Sequence, residues 1–277
     1  MTVIDSRTPL SYHVLPTGVN GSLWSARPAY GVFDFRGSRL RIEVADSNEV
    51  LFPTDCGLSL LAALNGDDAP VLAGTRALDI GCGSGVYSVA LLGEGAVHVT
   101  ALDINPAAAA VATSNVMHNR LDPTRLTCVT SDLAEYTPAE KFDLVITNPP
   151  HLPYDPRYAT DNGLEKALVA GHNGRALYDL VVDRIDDLLA PGGSLLMAHS
   201  SLTDIGRTVA DLEKKGFMSR TLEVFEMDIP LLAYAAHKET MMGHLERLRD
   251  SGNATFEGER FTVHAMAFHR SEEMDDD

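Results

Sequence analysis

The stretch Leu78-Asp-Ile-Gly-Cys-Gly-Ser-Gly85 constrains the fold of this chain more than any other. An apolar strand pattern ends in glycines at 81, 83 and 85, and an amphipathic helix pattern follows at once. Three glycines in a strand-to-helix turn bring backbone N–H groups, with no side chain in the way, against a ligand at a helix N-terminus. The spacing is G-x-G-x-G, not the G-x-G-x-x-G of dinucleotide-binding turns. From Arg76 onward the pattern alternates strand and helix, which predicts an α/β domain with a mainly parallel sheet covered on both faces. The expected strands are Ala77–Ile80, Val97–Ile104, Leu126–Thr130, Phe142–Thr147, Ser194–His199, Thr221–Ile229 and Phe261–Phe268.

Upstream, residues 1–30 read as an irregular arm, and Val32–Phe35 with Leu40–Val44 as a β-hairpin. Thr54 or Asp55 is placed to cap a helix over Leu58–Leu64. We therefore expect an arm and hairpin over 1–56 and a ligand-binding domain over 57–270. That domain carries an inserted segment near 231–258, with a helical stretch over His237–Arg249, and is followed by a disordered acidic tail at 271–277.

The 277 residues, 45% of them hydrophobic, suffice for one large core, and no segment is long enough to span a bilayer. No secretory signal is visible at the N-terminus. Cys56, Cys82 and Cys128 are widely spaced and odd in number. That argues for a reducing, cytoplasmic setting and against a metal site or a disulfide framework. The net charge of -17 opposes nucleic-acid binding and favours attraction of a cationic partner.

Two further features carry chemistry. Asp103 ends the second core strand, where a carboxylate can accept two hydrogen bonds from a ribose diol. Asp143-Leu-Val-Ile-Thr-Asn-Pro-Pro-His151 stops an apolar strand with two prolines, which fix the backbone and donate no N–H. Carbonyls near Asn148 and Pro149 can then face the cleft at the carboxyl ends of the strands. Such acceptors suit a planar nitrogen, whose lone pair they aim at an electrophilic carbon. Good alignment of that kind is worth on the order of 7 kcal/mol. His151 could flank the acceptor as an aromatic wall or take a proton from it, its ordinary pKa being about 6.5. His172 reads as loop structure.

Together these motifs resemble the class I S-adenosylmethionine (AdoMet) methyltransferases that act on nitrogen. Within them they are most similar to the HemK-type glutamine methyltransferases, including the short eukaryotic and archaeal branch. Val50–Leu58 and Gly163–Arg175 resemble segments of that family as well, so that the likeness runs over roughly residues 32–225. The resemblance implies a Rossmann-like sheet of seven strands, the last antiparallel, and AdoMet as cofactor. It implies cofactor contacts at Thr54, Asp79, Gly81, Cys82, Gly83, Gly85, Asp103, Ile104, Asp132 and Asn148, with Cys82 a tolerated small residue rather than a reactive thiol. It implies acceptor contacts at Asn148, Pro149, Pro150 and His151.

Three departures bear on the acceptor: His151 where the family's release-factor enzymes have Tyr, an N-terminal arm too short for a docking domain, and the insertion after Pro230. A guanidinium is planar, rich in N–H donors and protonated to a pKa above about 12, so an enzyme acting on it needs carboxylates nearby. Asp155, Asp161, Glu165, Glu226 and Asp228 lie in the acceptor-lining regions. The acidic composition then favours a small cationic, amino-acid-like substrate, with free arginine as the specific expectation. The alternatives are a glutamine of a release factor and a non-catalytic AdoMet-binding partner subunit. Residues 1–30 and 231–258 are candidates for a lid or for a homodimer contact.

Overall fold

A computed structural model describes residues 29–45, 49–67, 69–154, 169–230 and 238–270. The hairpin pairs β1 (Ala29–Phe35) with β2 (Ser38–Val44). Arg36 and Gly37 both take positive φ (47° and 79°), the geometry that lets a two-residue turn follow the twist of its strands. Alternation puts Leu40, Ile42 and Val44 inward, with Phe33 and Phe35 of β1.

The core elements are α1 (Asp55–Ala63), β3 (Arg76–Ile80), α2 (Val86–Gly93), β4 (His98–Asp103), α3 (Pro106–His118), β5 (Leu126–Thr130) and β6 (Phe142–Thr147). There follow α4 (Ala176–Leu188), β7 (Leu189–Ser200), α5 (Ile205–Lys214), β8 (Phe217–Asp228), α6 (Lys238–Asp250), β9 (Phe256–Glu257) and β10 (Arg260–Arg270). The sheet order is β5-β4-β3-β6-β7-β10-β8, with β9 beside β10. The first five strands are parallel, and β10 runs antiparallel to both β7 and β8. This is the expected seven-strand path, with one short strand added.

Two apolar layers hold the sheet. On one face the hairpin, α1, α2 and α6 contribute Phe33, Leu61, Val89 and Leu245; on the other α4 contributes Tyr178, Val181 and Ile185, and α5 Leu212. Asn105 caps α3 by accepting from the Ala107 N–H at 3.0 Å, with Pro106 in the first turn, as its sequence predicts.

Two boundaries differ from expectation. β7 starts at Leu189 and runs through Pro191-Gly-Gly, because Leu189 pairs with Phe142 before the chain bulges and Ser194 resumes opposite Leu144. β8 starts at Phe217 and ends at Asp228: as the sheet's edge it pairs with β10 alone, and its exposed face needs no apolar alternation to announce it. The insertion is folded where described, with α6 packed on the core through Met241, Leu245 and Leu248. Of the arm expected at 1–30, Ala29 and Tyr30 belong to β1 and the rest, like the tail at 271–277, lies outside the described residues.

Candidate active site

The parallel register assembles the site. Ile80 pairs with Leu102 on one side and with Thr147 on the other, and Asp103 pairs with Thr130. Gly81, Asp103, Asp132 and Asn148 therefore all leave the carboxyl edge of four neighbouring strands, where ligands of open parallel sheets bind. The Thr147 hydroxyl donates to the Ile80 carbonyl at 3.0 Å and locks the glycine-turn and Asn-Pro-Pro strands together at that point.

The three glycines do different work. All have positive φ, at 69°, 48° and 75°. A Cβ on Gly81 would meet nothing within 4 Å, and one on Gly83 only the Gly81 carbonyl at 3.9 Å, so the space over the turn is open to a ligand. A Cβ on Gly85 would lie 2.7 Å from the Cβ of Ala112, so this glycine permits the close approach of α2 and α3.

Asp103 accepts from the Gly83 N–H and the Asn105 N–H, each at 2.8 Å, which fixes its carboxylate beside the turn; burial pushes its pKa up. Ile104, beside it, is 69% exposed, an apolar surface offered to solvent. Asp79 is fully buried. Its Oδ2 accepts from the Ser88 N–H and hydroxyl, its Oδ1 has no partner, and burial raises its pKa to about 7. Cys82 is buried, and its thiol pKa is pushed well up by burial and by Asp79 and Asp103, so it holds no thiolate at neutral pH. Asp132 is exposed and accepts from the Ala134 N–H at 2.8 Å. Thr54 caps α1 by accepting from the Gly57 N–H at 3.3 Å. Open space over Gly81 and Gly83, a fixed carboxylate at Asp103 and an unpartnered buried oxygen on Asp79 fit a nucleoside with a cationic amino-acid tail.

The acceptor side is less saturated. The Asn148 Oδ1 is buried and has no hydrogen-bond partner among the described residues. Gly57 sits against this side chain: a Cβ there would lie 3.2 Å from Asn148 Nδ2 and 3.4 Å from the Tyr87 hydroxyl, which donates to the Gly57 carbonyl at 2.7 Å. The His151 Nδ1 lies 2.9 Å from the Pro149 carbonyl; a carbonyl only accepts, so Nδ1 carries the proton and Nε2 the lone pair. Burial lowers the His151 pKa, and the ring stays neutral at pH 7. One lone pair of Pro149 thus belongs to His151, and one remains for a ligand. The ring is tilted towards Phe261, with centroids 6.5 Å apart.

Glu226 and Asp228 are exposed on the β8–β10 hairpin and pair with Arg260 at 2.7 and 4.0 Å. Asp155, Asp161 and Glu165 lie outside the described residues. Among the described residues no group of three His, Cys, Asp or Glu is placed to hold a metal, and no helix is long and apolar enough to cross a membrane.

Sequence reasoning missed Asn115. This wholly buried side chain accepts from the Glu43 N–H at 2.9 Å and donates to the carbonyls of Glu43 and Ser84 at 3.0 and 2.8 Å. It ties the hairpin to α3 and to the glycine turn, and an Asn on an Ala-rich helix gives no sign of that. Gly57 and Tyr87 also went unnoticed, since their roles arise only when α1 meets the ends of the strands.

A glycine turn, a carboxylate one strand over and an Asn-Pro-Pro loop at the adjacent strand end define a class I AdoMet-dependent methyltransferase. The fold agrees with that of the Thermus thermophilus 16S rRNA N2 G1207 methyltransferase, at TM-score 0.51 and 18% identity, over 87% of this chain and 51% of that one. Residues 54–171 match the model of the methyltransferase small domain. A Methanocaldococcus jannaschii protein, provisionally named a protein N5-glutamine methyltransferase, is 34% identical over 50% of this chain and 69% of its own length. The release factor glutamine methyltransferase of Salmonella typhimurium is 33% identical over 45% of this chain and 46% of its own. The chain belongs to the HemK-type family of AdoMet-dependent N-methyltransferases.

Proposed function

We propose that this enzyme methylates the side-chain amide nitrogen of a glutamine in a protein, with a release factor as the first acceptor to test. The observation that carries the reading is the buried, unpartnered Oδ1 of Asn148, one strand over from the open glycine turn. A glutamine amide supplies two N–H donors, one for Asn148 Oδ1 and one for the remaining lone pair of Pro149. Held so, the nitrogen is oriented for in-line attack, and orientation supplies much of the barrier lowering in such a step. AdoMet, when bound, supplies the electrophilic methyl group. Asp103 holds the ribose, Asp79 Oδ1 faces the ammonium, Ile104 and Asp132 flank the adenine, and Thr54 fixes the start of α1. His151 holds the Pro149 carbonyl through Nδ1–H and stands beside the acceptor as a neutral wall, its Nε2 lone pair open to the proton released after transfer.

The comparisons favour glutamine over the free arginine expected from composition. The Methanocaldococcus jannaschii and Salmonella typhimurium relatives carry names of glutamine methyltransferases. A neutral amide needs no carboxylate cage, whereas a guanidinium does, and Glu226 and Asp228 are paired with Arg260 on the surface. The intact glycine turn and Asn-Pro-Pro loop speak against a non-catalytic partner subunit.

The test is to incubate the enzyme and AdoMet with a release factor, free glutamine or free arginine and to measure S-adenosylhomocysteine. We expect product with the protein acceptor, and tandem mass spectrometry should place one methyl group on a glutamine side chain. Turnover with arginine alone would contradict the reading.

A further inference from the structure

A second cavity, of about 380 Å³, opens between the loop at Gly171–Arg175 and α6. Its wall includes His172, Arg175, Arg207, His244, Arg247 and Asn253, and among the described residues no carboxylate lines it. In a chain of net charge -17 this is an island of the opposite sign.

Two of the three guanidiniums are held by carboxylates and the third is not. Arg175 is 2% exposed, pairs with Asp179 at 2.7 Å and donates to the Thr208 hydroxyl at 2.9 Å and to the Asp204 carbonyl. Arg207 divides itself between Asp179 at 3.3 Å and Asp211 at 3.6 Å. Arg247, exposed on α6, has no ion pair among the described residues. The His244 Nε2 donates to the His172 carbonyl at 2.6 Å, and the two rings meet edge to face at 4.3 Å, which holds the helix against the loop. A planar guanidinium on a pre-formed wall is the side chain best suited to grip a carboxylate or phosphate with paired N–H donors. Field lines from an otherwise acidic surface steer an anion to this spot and away from others.

The wall of this cavity backs onto the acceptor loop. Leu152 pairs with Val169, and the Tyr154 N–H donates to the Gly171 carbonyl at 3.0 Å, so the chain after His151 and the chain entering the cavity wall form one bridge. Gly174, with φ of +70°, touches that loop so closely that a Cβ would lie 2.6 Å from the His151 carbonyl and 3.0 Å from Pro153. The cavity and the loop that carries Asn148 and His151 therefore share one wall.

We propose that the cavity is a docking subsite for an acidic side chain of the protein substrate, gripped by Arg247, at a position a few residues from the methylated glutamine. The proposal rests on the protein-glutamine reading. A peptide is favoured over RNA because a polyanionic backbone would meet repulsion from the rest of the surface, while a single carboxylate meets only the cavity.

The test uses fluorescent glutamine-centred peptides with S-adenosylhomocysteine present. One peptide is neutral; two carry three glutamates on the N-terminal or the C-terminal side. Wild type should bind one acidic peptide at least tenfold more tightly than the neutral one. Arg247→Glu should erase that preference, and Arg247→Ala should reduce it, with binding and methylation of the neutral peptide unchanged. An undiminished preference in Arg247→Glu would overturn the proposal. So would displacement of the acidic peptide by inorganic phosphate or by a bulk tRNA mixture at lower concentration than by unlabelled peptide, since that describes a general anion or RNA site. If wild type methylates no glutamine peptide, the functional reading falls, while a charge preference removed by Arg247→Glu still upholds the docking site.

Discussion

The cofactor half of this site and its acceptor half are built on opposite plans. Around the glycine turn, backbone and side-chain groups largely saturate one another: Asp103 holds two N–H groups, Asp79 binds Ser88, and Asn115 satisfies three backbone groups at once. Around Asn148 a buried oxygen stands unpaired, one carbonyl is half used, and a basic cavity lies behind the loop. The first half is held by its own hydrogen bonds except at Asp79 Oδ1; the second leaves Asn148 Oδ1 and part of the Pro149 carbonyl for the substrate. Leaving a buried acceptor unpaired costs about 1–3 kcal/mol, and a fold carries such a cost most readily where a ligand later removes it.

That contrast predicts where substitutions act. The largest effect on stability should come from Gly85→Ala, which adds a Cβ 2.7 Å from Ala112 at a φ of +75°. We expect a loss of about 3 kcal/mol or more, read as a fall in Tm. Gly81→Ala has open space, so it should lose only about 1 kcal/mol of stability yet bind AdoMet at least tenfold more weakly. Equal stability losses in the two variants would break the distinction between packing and cradling glycines. Asn115→Ala strands the Glu43 backbone and the Ser84 carbonyl, and chemical denaturation should show a loss of about 2–3 kcal/mol.

A smaller, pH-dependent effect belongs to His199. It is buried, stacked on Tyr178 at 3.9 Å, accepts from the Thr208 hydroxyl at Nε2, and burial lowers its pKa to about 3. In the unfolded chain it protonates at about 6.5. The unfolded state therefore binds more protons below that value, and the contribution of His199 to stability should fall as pH drops from about 6.5 towards 3. His199→Gln should flatten this part of the stability–pH curve, and an unaltered slope would show that other groups dominate it.

Much of this was legible in the sequence, for definite reasons. Strands that run into glycine or proline punctuation, such as Arg76–Ile80 and Phe142–Thr147, are marked at both ends, and β5 and β6 lie at their expected bounds. The places of Asp103 and Asn148 at strand ends could be read because each closes an apolar run. The edge strand β8 was misjudged because one exposed face carries no pattern, and β7 because a bulge hides behind Pro-Gly-Gly. Glu226 and Asp228 read as substrate ligands because composition cannot show that Arg260 stands opposite.

The most direct measurement is Asn148→Ala assayed for AdoMet binding and for single-turnover methyl transfer in the same preparation. The two-plan account predicts an AdoMet Kd within about twofold of wild type, the resolution of such a comparison, and a transfer rate at least about 100-fold lower, because only orientation of the acceptor nitrogen is lost. A transfer rate equal to wild type, or a loss of transfer that follows a loss of AdoMet binding, would contradict it.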